Sequence, residues 1–132
     1  MAVGMIALLL TAVLALISLS VKNSRLAKDR TNAVSSAQQG VELMRTYRDL
    51  NWSILLAKAN GTNYDLPGNW TVDMGLSNGC PDANNIYDYY LRCVVLTQPG
   101  GGEIAVQVTV SWVEGSQTYH TVQSTNLSLW ER

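Results

Sequence analysis

A chain of 132 residues that gives its first 21 to an uncharged run has room left for one small domain, which excludes large multi-step enzymes. The formal net charge of −1 conceals an asymmetry, because residues 22–58 hold seven Lys/Arg against three Asp/Glu while residues 59–132 hold two against seven. A basic stalk therefore precedes an acidic head, and no nucleic-acid partner is evident.

The run Met1–Val21 (MAVGMIALLLTAVLALISLSV) predicts a helix of roughly 31 Å at ~1.5 Å per residue, about the hydrocarbon thickness of a bilayer. A secretory signal fits poorly, since the charged leading region is missing, the run is long, and no small-residue cleavage site precedes a change of pattern. The absence of a leading polar segment raises the expectation of a processed or truncated form. Lys22 to Arg30 continue with no Gly or Pro, so a single helix is expected, apolar first and amphipathic later. Its basic residues fit positive-inside bias, contact with anionic headgroups, or a plain solvated face.

From Leu26 to about Leu56 small and apolar residues recur at helical spacing: Leu26, Ala33, Ala37, Gly40 and Met44, with Val34, Val41 and Tyr47 beside them. A stripe of small residues suits close packing against a sheet or against copies of the chain. Gly61, Pro67, Gly68, Gly75, Gly79 and Pro81 then predict a loop-rich connection, with a short strand at 70–74 inside it.

The last third reads as antiparallel sheet. Ile104, Val106, Val108, Val110 and Trp112 alternate with Ala105, Gln107, Thr109 and Ser111, which predicts a strand over 103–113 with its apolar face inward. Before it, 89–97 is rich in β-formers and is joined by Gln98, Pro99, Gly100, Gly101 and Gly102, a loop expected to be longer than a tight two-residue turn. After it, EGSQ at 114–117 turns into a strand over 118–130. The expected fold class is α+β: a long N-terminal helix packed on a small antiparallel sheet of three to four strands. Its segments are an apolar helix 1–21, an amphipathic helix 22–56, and a head 57–132 with loop region 57–88 and strands 89–130.

Cys80 and Cys93 are the two cysteines, and they form either a disulfide or a pair of reduced thiols. The membrane segment and the small, loop-rich head favour the disulfide and an oxidising compartment. The pair and the single His120 supply too few ligands for zinc, and their spacing matches no zinc pattern. His120 lies between Tyr119 and Thr121 in the last strand, where a structural role outweighs catalysis. No nucleophile motif accompanies it, no pair of carboxylates stands out, and the glycines at 100–102 lack the helix and lysine of a phosphate loop. Neither enzyme activity nor a cofactor is expected.

Four Asn-x-Ser/Thr sequons, at Asn51, Asn60, Asn69 and Asn126, are candidate glycosylation acceptors. Asp49 precedes Asn51 by two residues, a context that resembles the bacterial acceptor signal, and Trp52 beside it suggests a corner where helix meets loop. Tyr87, Tyr89 and Tyr90, with Asp82 and Asp88 nearby, read as a half-buried strand edge or as a ligand platform.

The order of parts, together with SLSVKNSRLAKDRTNAVSSAQQGVELMRTYRDLNW (18–52) and VTVSWVEGSQTYHTVQSTNLSLW (108–130), resembles the type IV pilins and pseudopilins. The first segment looks like the stalk helix of pilin-like chains. The second is similar to their closing strands, with Trp112, Gly115, Thr125, Leu127 and Trp130 in the expected places. The family's processed N-terminus, a methylated residue followed four positions later by Glu, has no counterpart in Met1–Val21. The resemblance implies either a usual start several residues upstream of Met1 or a subunit that does without the assembly glutamate, which is assigned to no residue here. The helix proline common in the family is also missing, and Gly4, Ser18 and Ser20 are the places for local loosening.

The resemblance implies a structural subunit that waits in the inner membrane, is handled by a pilus assembly machinery, and polymerises into a surface filament. Ala7, Leu8, Leu9, Ala12, Leu14, Ala15 and Leu16 would form the filament core, where one apolar surface serves both lipid storage and self-association. Staggered copies make heterologous contacts that grow a helix rather than close a ring. Alternatives are a minor pilin or secretion-system pseudopilin, or a membrane-tethered extracytoplasmic module that uses its Tyr-rich loop to hold a ligand.

Overall fold

The computed structural model describes residues 2–66, 68, 79, 80 and 85–129. The expected strand at 70–74, the sequon at Asn69, Asp82 and Trp130 lie outside the described residues. The chain divides into two units, Met1–Thr31 and Asn32–Arg132. Helix α1, Ala2–Leu50, supplies the whole described part of the first unit and the opening element of the second. In the second unit, α2 is Trp52–Lys58, β1 is Asn60–Asp65, β2 is Tyr90–Gly100, β3 is Glu103–Glu114 and β4 is Gln117–Ser128.

The amphipathic helix expected to reach Leu56 is instead broken at Asn51. Asn51 leaves helical geometry (φ −156°, ψ 84°), and its side chain accepts hydrogen bonds from the Ile54 amide at 3.4 Å and the Ser53 hydroxyl at 2.8 Å. An Asn that caps a new helix ends the old one, since its side chain replaces a missing carbonyl partner. The short α2 buries Leu55, and Lys58 sits 5.1 Å above the Tyr64 ring of β1.

The four strands form one antiparallel sheet in the order β1-β2-β3-β4. β1 falls inside the segment expected to be loop. Its sequence, NGTNYD, carries no apolar alternation, and it is held by its pairing to β2, broken by a register shift between Asn60 and Asn63. The β2–β3 connection is also tighter than expected. Gly100 pairs with Glu103, and the two turn residues Gly101 and Gly102 take φ of 68° and 75°. Glycine enters that left-handed region without steric cost, so the Gly-rich stretch makes a two-residue hairpin loop after all. β3 and β4 pair along their full length from Glu103↔Ser128 to Glu114↔Gln117.

The core of this unit lies between one face of the sheet and the 32–50 part of α1. Ile104, Val106, Val108, Val110 and Trp112 are at most 3% exposed, as the alternation predicts. Facing them, Ala33, Ser36, Ala37, Gly40, Val41, Leu43, Met44 and Tyr47 form the buried stripe of the helix. The small residues set the approach distance. A Cβ built on Gly40 would stand 2.8 Å from Cγ1 of Val108 and 3.1 Å from Cδ2 of Leu66, so only glycine fits. Burying each large aliphatic here contributes about 1.5–3 kcal/mol relative to exposure.

Cys80 and Cys93 form a disulfide with Cα atoms 5.8 Å apart. Cys93 lies on the sheet face away from α1, opposite Asp65 and Thr109. The Gly79 amide donates to the Asn63 carbonyl at 2.9 Å, and Gly79 forms an isolated parallel bridge with Tyr64 of β1.

Candidate assembly and binding surfaces

In the first unit every described side chain from residue 4 to residue 25 is exposed. The expected filament-core positions Ala7, Leu8, Leu9, Ala12, Leu14, Ala15 and Leu16 all lie in this stretch, with Leu8 at 73% and Leu16 at 66%. At 100° per residue they fall on all sides of the helix, and Met5, Ile6, Leu10, Val13, Ile17 and Leu19 fill the gaps between them. A helix that is apolar all round requires an apolar environment all round. The hydroxyl of Thr11 is already satisfied, donating to the carbonyls of Leu8 at 2.9 Å and Ala7 at 3.2 Å, so its polar group is spent within the helix. This helix is long and apolar enough to cross a membrane.

In the second unit the sequence reading passed over Arg92. It sits on β2 in phase with Tyr90, Val94 and Leu96, faces the core, and is 3% exposed. Its Nε donates to the Leu66 carbonyl at 2.9 Å and its Nη1 to the Ser36 carbonyl at 3.0 Å. Asn85 grips its backbone from both sides, accepting from the Arg92 amide and donating to the Arg92 carbonyl, each at 2.7 Å, while also donating to Asp65. Burial lowers the guanidinium pKa, and the nearby Tyr87 and Asp65 oppose that shift. The in-phase position of one charged residue within an apolar alternation is the signal that could have singled it out.

The tyrosine cluster divides. Tyr90 is buried and meets Tyr89 edge-on at 4.8 Å and Trp112 at 6.2 Å, and Trp112 stacks on Tyr119 at 5.7 Å. Tyr87 is 91% exposed. It occupies a turn over Ile86–Tyr89 in which Tyr87 and Asp88 take φ of 51° and 55°, with the Tyr89 amide bonded to the Ile86 carbonyl at 3.2 Å. Positive φ at both central positions defines a type I′ turn, which favours Asn and Gly and costs other residues about 1–2 kcal/mol each. Beside the turn is a cavity of about 250 Å³ lined by Asn32, Ser35, Ser36, Gln39, Ile86, Tyr87 and Tyr90. A wider groove of about 710 Å³ lies between residues 35–46 of α1 and Gln123, Ser124 and Thr125 of β4.

Of the sequons, Asn51 is exposed at the cap of α2 and Asn126 is exposed on the outward face of β4. Asn60 is exposed at the start of β1 and accepts from the Thr62 amide at 3.0 Å and the Tyr64 hydroxyl at 3.1 Å. His120 is exposed on β4, across from Ser111. No family model, curated protein or solved structure matches the chain.

Proposed function

We propose that the chain is a structural subunit of a type IV pilus-like filament, held in the inner membrane by its N-terminal helix until an assembly machinery transfers it into a polymer of its own kind. The observation that carries this reading is the helix surface itself: residues 4–21 are exposed and apolar on every face. A tether to one neighbour would need one apolar stripe, whereas a bilayer or a bundle of several copies covers the full circumference. The same surface serves both states, so moving from lipid to bundle exposes no apolar area to water. The Cys80–Cys93 bridge fits a head that resides in an oxidising space.

A second reading, a membrane-tethered binding module, draws support from the exposed Tyr87 turn and the cavity beside it. Substitution separates the two. Ala12→Leu keeps the helix apolar but enlarges its surface, so a tether retains its membrane anchorage while a close-packed polymer loses assembly. Membrane anchorage without filaments from the parent and the Ala12→Leu chain alike would favour the tethered module.

A further inference from the structure

We infer that the cavity beside the Tyr87 turn is a binding site for the ring of a neutral saccharide. Its polar lining comes from one face of α1, where the exposed Asn32, Ser35 and Gln39 present two amides and a hydroxyl. None of the described lining residues carries a charged side chain. Amides and hydroxyls each both donate and accept, as the hydroxyls of a sugar ring do. Ser36, 7% exposed, lies behind these groups with its Oγ buried and without a hydrogen-bond partner among the described residues.

Tyr87 supplies the other half of the recognition. A ring 91% exposed beside a polar cavity offers an electron-rich face to the polarised C–H groups of a pyranose. Holding a tyrosine in left-handed backbone is unfavourable where Asn or Gly would serve the turn, and such strain concentrates at binding sites. The cavity, at about 250 Å³, falls just below the ~300–1,000 Å³ of sites for drug-sized ligands, so it takes one ring and leaves the remainder of a glycan in solvent. This inference is independent of whether the chain polymerises.

The test is a nuclear magnetic resonance titration of the full chain in phosphocholine micelles, which avoids sugar-headed detergents, with free glucose, galactose, mannose and N-acetylglucosamine in turn. At least one sugar is expected to shift the Tyr87 ring and the Asn32 and Gln39 side-chain amides together and saturably, at millimolar affinity. Tyr87→Ala and, separately, Gln39→Leu, both at exposed positions, should weaken that binding roughly tenfold with the rest of the spectrum unchanged. The absence of a saturable shift with any of the four sugars overturns the inference, as does binding that both variants retain.

Discussion

The guanidinium of Arg92 donates from Nη1 to the main-chain carbonyl of Ser36 at 3.0 Å, joining β2 to α1 across 56 residues of sequence. The same side chain reaches the Leu66 carbonyl through Nε, so one residue ties the central sheet to the helix above it and to the end of β1. The planar fork of donors makes this double bond possible, and burial raises the cost of losing it.

Arg92→Ala is expected to destabilise the chain by about 3 kcal/mol, from a lost buried donor pair and the space left behind. Arg92→Lys should recover less than half of that, because an ammonium cannot bond both carbonyls in the geometry of the fork. Urea unfolding of the three chains in detergent measures the differences, and a loss under about 1 kcal/mol for Arg92→Ala would show that the clasp contributes little.

At Gly40 two effects oppose each other. Alanine would gain about 1 kcal/mol of helix propensity, yet its Cβ would lie 2.8 Å from Val108 and 3.3 Å from Cδ of Arg92. Overpacking of about 1–3 kcal/mol should win, so Gly40→Ala destabilises. Val108→Ala alone also destabilises, but the double variant should be more stable than the sum of the two losses predicts. Strict additivity in that cycle would mean the contact does not limit the approach of helix and sheet.

Reducing the Cys80–Cys93 bridge, which closes a loop with a sequence separation of 13, should cost about 3 kcal/mol of stability. Thermal unfolding with and without reductant reads this directly, with Cys93→Ser insensitive to the reductant. Coincident melting curves for the parent chain would contradict it.

Much of the head was legible because its alternation is unbroken. β3 reads correctly since five inward positions are apolar and the outward ones small or polar, a period that no helix satisfies. The helix stripe from Ala33 to Tyr47 reads for the equivalent reason at helical period. The elements that sequence left hidden lack such a period. β1 is NGTNYD, strand only because β2 offers it partners, and the break at Asn51 depends on which backbone amide one side chain captures. Arg92 escaped notice because a charge in a strand is ordinarily outward, and its inward placement needs the carbonyls of Ser36 and Leu66, which come together only in the folded chain. The Tyr87 site draws on α1 and a turn more than 40 residues away, a juxtaposition that no local pattern carries.

Alkaline pH offers a separate check on the core. Tyr47 is 6% exposed, and burial raises its phenol above the ordinary value of 10.0. The folded state thus keeps a proton that the unfolded state releases, so this contribution is complete below pH 10.0 and is lost as pH rises through the elevated folded value. Tyr47→Phe should show a shallower decline of the urea midpoint above that pH than the parent chain. Parallel declines would indicate that Tyr47 ionises as freely folded as unfolded.

The helix surface makes its own demand. Leu9 is 68% exposed, and an aspartate in its place would carry a charge into lipid or into a helix bundle at about 2.5–3.5 kcal/mol per subunit. Leu9→Asp is expected to abolish filaments while leaving the head folded, as judged by its disulfide and its unfolding transition. Filaments of normal length from that chain would remove residue 9 from the core.

The most direct measurement is cryo-electron microscopy of material sheared from the surface of cells producing the chain. The expected result is filaments whose centre is a bundle of α1 helices, with Leu8, Leu9 and Leu16 buried between copies and the sheet of each head facing solvent. Recovery of the protein solely in membranes, with no filament bearing its density, would contradict the polymer and leave the tethered module as the better description.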